Sequence, residues 1–217
     1  MDTRHSSICV LVSGGLDSAA LVHRLLSTGR RLLPVYVRCG LRWEAAELYW
    51  LRRFLAAVRS PQVAPLVIVD IPVRSLYGSH WSLTGRCVPS SRSPDAAVYL
   101  PGRNVLLLSA AAIACAQRGI STIALGTLRG NPFADATPLF FKRLSMCLTQ
   151  ALEHSIRIIT PLRRLKKAQV IRSAARLPLH LTFSCLQPRG HHPCGRCNKC
   201  AERAKAFRRA PFADRPT

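Results

Sequence analysis

Acidic residues are scarce in this chain: 10 Asp and Glu stand against 32 Lys and Arg in 217 residues, a formal net charge of +22. Such a field attracts polyanions, and nucleic acid is the first candidate partner. The arginines, at positions 30, 31, 52, 53, 163, 164, 208 and 209 among others, form no continuous basic arm and no stripe interleaved with aromatics. Nucleic-acid binding is therefore not favoured over an anionic protein partner or an arginine-rich composition. Also missing is any run approaching ~20 apolar residues, so no membrane span is expected. The opening MDTRHSSICVLVSGG has too short an apolar run for a signal peptide, which points to a cytoplasmic chain with reduced thiols. No internal repeat is visible, and no Gly-Lys-Ser/Thr follows the glycine pair at positions 14 and 15, which excludes a Walker loop.

A hydrophobic content of 48% suits one compact domain with a sizeable core. Short apolar runs at residues 6 to 12, 32 to 38, 65 to 71, 121 to 126 and 156 to 159 alternate with helical spacing. That alternation predicts an α/β fold, a parallel sheet with helices on both faces. After the second run, Trp43, Ala46, Trp50, Phe54 and Val58 recur at helical steps and read as core, with Glu44, Glu47 and Arg53 on the polar face. The Ser-, Gly- and Pro-rich stretch from Arg74 to Leu100 reads as a long irregular loop, which in a compact domain is usually functional or disordered. Cys9, Cys39, Cys87, Cys115 and Cys147 lie on apolar stretches and are expected to be buried small hydrophobes.

Residues 12 to 18, Val-Ser-Gly-Gly-Leu-Asp-Ser, connect the first strand candidate to a helix. Gly14 and Gly15 let the backbone approach an anion closely. The free amides of the helix start and the hydroxyls of Ser13 and Ser18 add donors. Asp17 either caps the helix or holds a divalent cation that bridges to phosphates. The stretch resembles the pyrophosphate-binding loop of ATP-dependent adenylating enzymes, which implies ATP cleaved between its α and β phosphates, with Mg2+ as the bridge. In an open parallel sheet the loops after strands one, two and four converge on the ligand. There Gly126 and Thr127 can approach a nucleotide, and Asp135 can accept hydrogen bonds from a base-like substrate. Arg103 and Asn104, at the start of a helix, suit a carboxylate or phosphate. Lys167, opening a later helix, either is solvated or reaches the triphosphate.

Cys185, Cys194, Cys197 and Cys200 have the spacing C-x8-C-x2-C-x2-C. Four thiolates make a closed tetrahedral Zn2+ site, structural rather than catalytic, tying the loop at Cys185 to a helix starting near Asn198. His191 and His192 are alternative ligands, less expected in an exposed Gly-Pro loop. A redox dithiol would leave two cysteines unexplained.

SGGLDS, VYLPGRN, the stretch around Lys167 and LTFSC…HHPCGRCNKCAERAKAF resemble, in order and nearly end to end, the 7-cyano-7-deazaguanine synthases. The resemblance implies an adenine nucleotide alpha hydrolase-like fold. Residues 1 to 180 would be the ATP-binding domain, and residues 181 to 217 a zinc lobe packed on it. It also implies a reaction: ATP converts the carboxylate of 7-carboxy-7-deazaguanine to an acyl-adenylate, ammonia displaces AMP to give the amide, and a second activation with dehydration gives the nitrile used in queuosine synthesis. By matching positions, Val12 to Ser18 with Ala19, Ala20 and Leu21 form the ATP loop. Arg103 and Asn104 then belong to the active site and the four cysteines hold zinc; with the residues read above, Asp17, Arg103 and Lys167 are the catalytic candidates and Arg103, Asn104 and Asp135 the substrate-binding ones.

Two segments depart from the family. A Tyr-Gly-Gln-x-His segment is common after its second strand, where this chain reads Tyr36-Val37-Arg38-Cys39-Gly40-Leu41-Arg42-Trp43-Glu44; and Phe133 to Phe140 keeps an aspartate but loses a Cys and an Arg. Three outcomes stay open on the acceptor side: the same deazaguanine nitrile, an arrest at the amide, or conjugation of the acid to another amine. A tRNA-modifying adenylase and a non-catalytic nucleotide binder are further alternatives. The oligomeric state is open, a homodimer included.

Overall fold

The computed structural model describes residues 7–210. The five apolar runs all become strands: β1 (Ile8–Leu11), β2 (Leu32–Arg38), β3 (Val67–Asp70), β4 (Thr122–Ala124) and β5 (Arg157–Ile159). They form one parallel sheet in the order β3-β2-β1-β4-β5. Between and after them run α1 (Leu16–Leu26), α2 (Glu44–Val58), α3 (Arg74–Tyr77), α4 (Trp81–Thr84), α5 (Arg103–Ala116), α6 (Pro138–Leu152), α7 (Lys167–Ser173) and α8 (Asn198–Arg208).

The sheet is covered on both faces, as near-continuous apolar strands require. Period-2 alternation sends Cys9 and Leu11 into a core with α5, Trp43, Trp50 and Phe141, while Ile8, Val10 and Val12 join α1, Val170, Ile171 and Phe207 on the other side. Small residues on α5, Ala110, Ala111, Ala112 and Ala114, are all buried and let this helix sit close to the sheet. The chain order reverses between β1 and β4, so a crevice opens at the carboxyl ends of those strands.

Three expectations need correction. Residues 74 to 100 are not wholly irregular: they hold α3, α4 and a 3-10 turn at Asp95–Val98. One-turn elements leave no hydrophobic period to read. Glu44 is not on a solvated face but buried at 5% exposure, because its carboxylate accepts the backbone N–H groups of Cys39 (2.7 Å) and Gly40 (2.8 Å) and closes the turn between β2 and α2. Of the scattered cysteines, Cys9, Cys39 and Cys115 are buried, but Cys87 and Cys147 are exposed. Cys147 lies on α6, of which only Phe141 and Leu148 are buried, so an apolar neighbourhood in sequence did not place it inward. Among the described residues no helix is long and apolar enough to cross a membrane.

Candidate active site

The loop after β1 is held by its own protein contacts. Gly14 takes φ +72°, and a Cβ there would stand 3.0 Å from the carbonyl oxygen of Glu47, so only glycine lets the loop press against α2. Phe183 N–H donates to Gly14 O (2.8 Å), fixing the loop from the other side. Ser18 is buried and spends its hydroxyl inside the turn, donating to Gly15 O (3.0 Å) and accepting from Ser13 N (3.3 Å). No side chain caps α1, which starts here and runs for 11 residues, so its first amides remain available to an anion. Gly126 closes the far wall: a Cβ would come within 3.3 Å of the Asp17 backbone.

Two adjoining cavities open around this loop. One, of about 240 Å³, lies over the switch point and is lined by Val12, Tyr36, Arg103, Asn104, Thr127 and Asp135 among others. The second, of about 230 Å³, runs from Gly15 and Leu16 past Lys167 and Phe183 to Cys185 and Lys199. Ser13, Asp17, Glu47 and Arg103 line both and form the junction. The structure thus brings together Val12, Ser13, Gly15, Leu16, Asp17, Ser18, Arg103, Asn104, Gly126, Thr127, Asp135 and Lys167. Gly14, Ala19, Ala20 and Leu21 line neither cavity, and the last three are buried in the core beneath.

Charge at the junction is arranged as a chain. Lys167 Nζ donates to Asp17 Oδ2 (2.7 Å) and contacts Glu202 Oε1 (3.2 Å), and Lys199 Nζ reaches Glu202 Oε2 (2.6 Å). Burial alone would lower the Lys167 pKa, but Asp17 and Glu202 raise it above the ordinary lysine value. Desolvation works against the ionised Glu202, yet Lys167 and Lys199 hold it at about 2. Three polar atoms in the lining are buried without a partner: Asp17 Oδ1, Arg103 Nε and Thr127 Oγ1. Each unpaired buried polar atom costs stability, and here the three surround one space. Asp135 has another task besides lining: its Oδ2 accepts Asn104 N–H (3.1 Å), and its carbonyl accepts from Asn104 Nδ2 (2.8 Å), which fixes the start of α5. Tyr99 and Phe133 stack at 5.0 Å between centroids and add an aromatic wall.

Four residues at this site, Tyr36, Glu47, Lys199 and Glu202, were not singled out from the sequence as site residues. Glu47 receives a hydrogen bond from Tyr36 Oη (2.8 Å), and burial raises its carboxyl to about 7. The only sequence signal for it was a carboxylate on the polar face of the helix after the second strand, which is too common to use.

The second cavity ends at the cysteine cluster. Sγ atoms of Cys185, Cys194, Cys197 and Cys200 all lie within 4.8 Å of one another, with Cys197 at 3.5 Å from Cys200 and 4.0 Å from Cys185. Tetrahedral thiolates at a zinc–sulfur length of about 2.3 Å stand about 3.8 Å apart, so the four converge on a single ion's volume. Backbone N–H groups of Gln187 and Cys194, both at 3.3 Å, point at Cys185 Sγ, a pattern that favours a thiolate. His191 instead stacks on Tyr49 at 4.0 Å, its carbonyl accepting from Trp50 Nε1 (2.7 Å), and neither His191 nor His192 joins the cluster. Ser91 N–H donates to Arg196 O (2.9 Å) and Asn198 N–H to Pro89 O (3.0 Å), fastening residues 89 to 91 to the knot.

A five-stranded parallel sheet, an uncapped helix behind an SGGLDS turn and a C-terminal knot able to hold a metal define an α/β protein of the pyrophosphate-loop, adenine nucleotide alpha hydrolase-like class. A solved 4-thiouridine synthetase–RNA complex with bound ATP has the same fold, with a TM-score of 0.54 at 16% identity over 95% of this chain and 50% of that one. The sequence profile of the queuosine biosynthesis protein QueC matches residues 7–211. The 7-cyano-7-deazaguanine synthase of Anaeromyxobacter dehalogenans is 33% identical over 94% of this chain and 92% of its own, and that of Leptospira interrogans 27% identical over 99% and 91%. The chain belongs to the QueC family of ATP-dependent 7-cyano-7-deazaguanine synthases.

Proposed function

We propose that this chain adenylates 7-carboxy-7-deazaguanine with ATP and converts it with ammonia to 7-cyano-7-deazaguanine. The observation that carries the reading is the convergence of the uncapped α1 N-terminus, Asp17, Arg103 and Lys167 on one junction in a chain that matches the family from residue 7 to 211. The nucleotide base and sugar take the larger cavity over the switch point, and the β and γ phosphates the smaller one, along Gly15, Leu16 and Lys167. Both α1 amides and Lys167 then face the departing pyrophosphate. Arg103 binds the acid's carboxylate or the α phosphate, and Asn104 and Asp135 border the acceptor. Asp17 Oδ1, buried and unpartnered, fits a divalent cation, and Mg2+ when bound neutralises charge that develops on the phosphates.

Zinc is the metal we assign to the four-cysteine knot, where four sulfurs leave no open position. We take residues 181 to 210 as a lobe packed on the ATP-binding domain, a reading supported by Ala206 and Phe207 of α8 sharing a core with α1; residues 211 to 217 of the expected lobe lie outside the described residues. The partners are small molecules, and the protein works in the cytoplasm.

Purified protein incubated with ATP, magnesium, ammonia and 7-carboxy-7-deazaguanine is expected to give AMP, pyrophosphate, the amide and the nitrile by mass spectrometry. AMP release that depends on tRNA and yields no deazaguanine product would overturn the assignment.

A further inference from the structure

Glu47 is a carboxylate set at the meeting point of the two cavities, and the functional reading above gives it nothing to do. Its position is fixed twice over. Its backbone carbonyl sits where any side chain on Gly14 would have to go, so α2 is packed against the phosphate loop at this residue. Its Oε2 accepts from Tyr36 Oη at 2.8 Å, which orients the carboxylate from the β2 side. Arg103 comes from α5 and lines both cavities with it, as do Ser13 and Asp17 from the loop and α1. Lys167 reaches the second cavity from α7. Glu44, one helical turn earlier, is turned away and bonded to the amides of Cys39 and Gly40.

We propose that Glu47 is the proton acceptor that turns ammonium into ammonia beside the acyl-adenylate. Ammonia at neutral pH is almost entirely ammonium, which has no lone pair to attack with. An anionic carboxylate at the junction attracts that cation out of solvent and places it next to the carbon being activated. The ammonium N–H proton passes to Glu47. The freed lone pair forms the C–N bond, and the C–O bond to AMP breaks with its electron pair on the phosphate oxygen. The second proton shed by nitrogen leaves on that phosphate, so the products are the amide, AMP and a protonated Glu47 that returns its proton to solvent. Desolvation, offset by Arg103 and the Tyr36 bond and reinforced by Glu44, sets the carboxyl at about 7, close to the working pH that proton transfer favours. The inference rests on the proposed ligase reaction and assigns its nucleophile-activating group.

The test separates the two half-reactions in the full-length protein. Pyrophosphate exchange into ATP, dependent on the acid, reads adenylation; amide formation from ammonia and hydroxamate formation from hydroxylamine read the second half. Hydroxylamine is largely unprotonated at neutral pH and needs no such base. In Glu47→Gln the ammonia-dependent rate is expected to fall by about 100-fold or more, while exchange and hydroxamate formation fall by no more than about fivefold. Glu47→Asp should restore part of the ammonia rate. A loss shared equally by all three readouts would show that Glu47 serves nucleotide binding or folding instead, and an unchanged ammonia rate would remove it from the reaction. If the unsubstituted protein forms no AMP from the acid, the ligase reading falls and this inference with it.

Discussion

Lys167 Nζ lies 2.7 Å from Asp17 Oδ2, a contact between residues 150 positions apart that joins the first turn of α1 to the first residue of α7. It leaves Asp17 Oδ1 buried and unpaired. One oxygen is held by a lysine; in the proposed reaction the other meets the divalent cation.

Replacing Asp17 by Asn keeps the shape and removes the charge. AMP formation from ATP and the acid is expected to drop by at least about 100-fold, with the metal content of the cysteine knot unchanged. AMP assays and elemental analysis on one preparation check both halves, and loss of metal would show that the two sites are not separable.

The ion chain should behave as a unit. Lys167→Met leaves Asp17 without its lysine and Glu202 with Lys199 alone, at a cost of about 1–3 kcal/mol in urea unfolding, and Glu202→Gln added to it should recover part of that loss. Strictly additive costs in the double-mutant cycle would contradict the coupling.

The stability of the protein should depend on pH at both ends, in opposite senses. Glu202 is depressed from 4.5 to about 2, so its contribution is complete above pH 4.5 and is lost as pH falls through 2, a change of about 1–2 kcal/mol after solvent screening. Glu47 is raised from 4.5 to about 7, so its favourable contribution holds below pH 4.5 and is lost as pH rises through 7. Glu47→Gln is therefore expected to be more stable than the unsubstituted protein at pH 8, by roughly 1–2 kcal/mol, and no more stable at pH 4. Chemical denaturation at the two pH values measures it.

Cys197→Ser should remove about one equivalent of metal and lower the melting temperature, because Cys197 is buried, closes the bridge to Ser90 and directly precedes α8. A strong chelator should reproduce the shift in the unsubstituted protein and leave the variant unmoved. Equal metal content in the two proteins would be decisive against the knot.

What the sequence determined is what neighbouring residues settle among themselves. Five short apolar runs fall within a residue or two of β1 to β5, since strands buried on both faces need little beyond local composition. SGGLDS and C-x8-C-x2-C-x2-C were legible because a strand-to-helix turn with an uncapped helix start and a cysteine cluster able to hold a metal are made by residues close in the chain. Tertiary structure decided the rest. A helical period tells apolar from polar but not which polar residues face water, so Glu44 and Glu47 looked alike on α2; one closes a turn and the other faces the cavities. Lys167 could be solvated or could reach the loop until α1, α7 and α8 were brought together, and only that packing put its ammonium between Asp17 and Glu202.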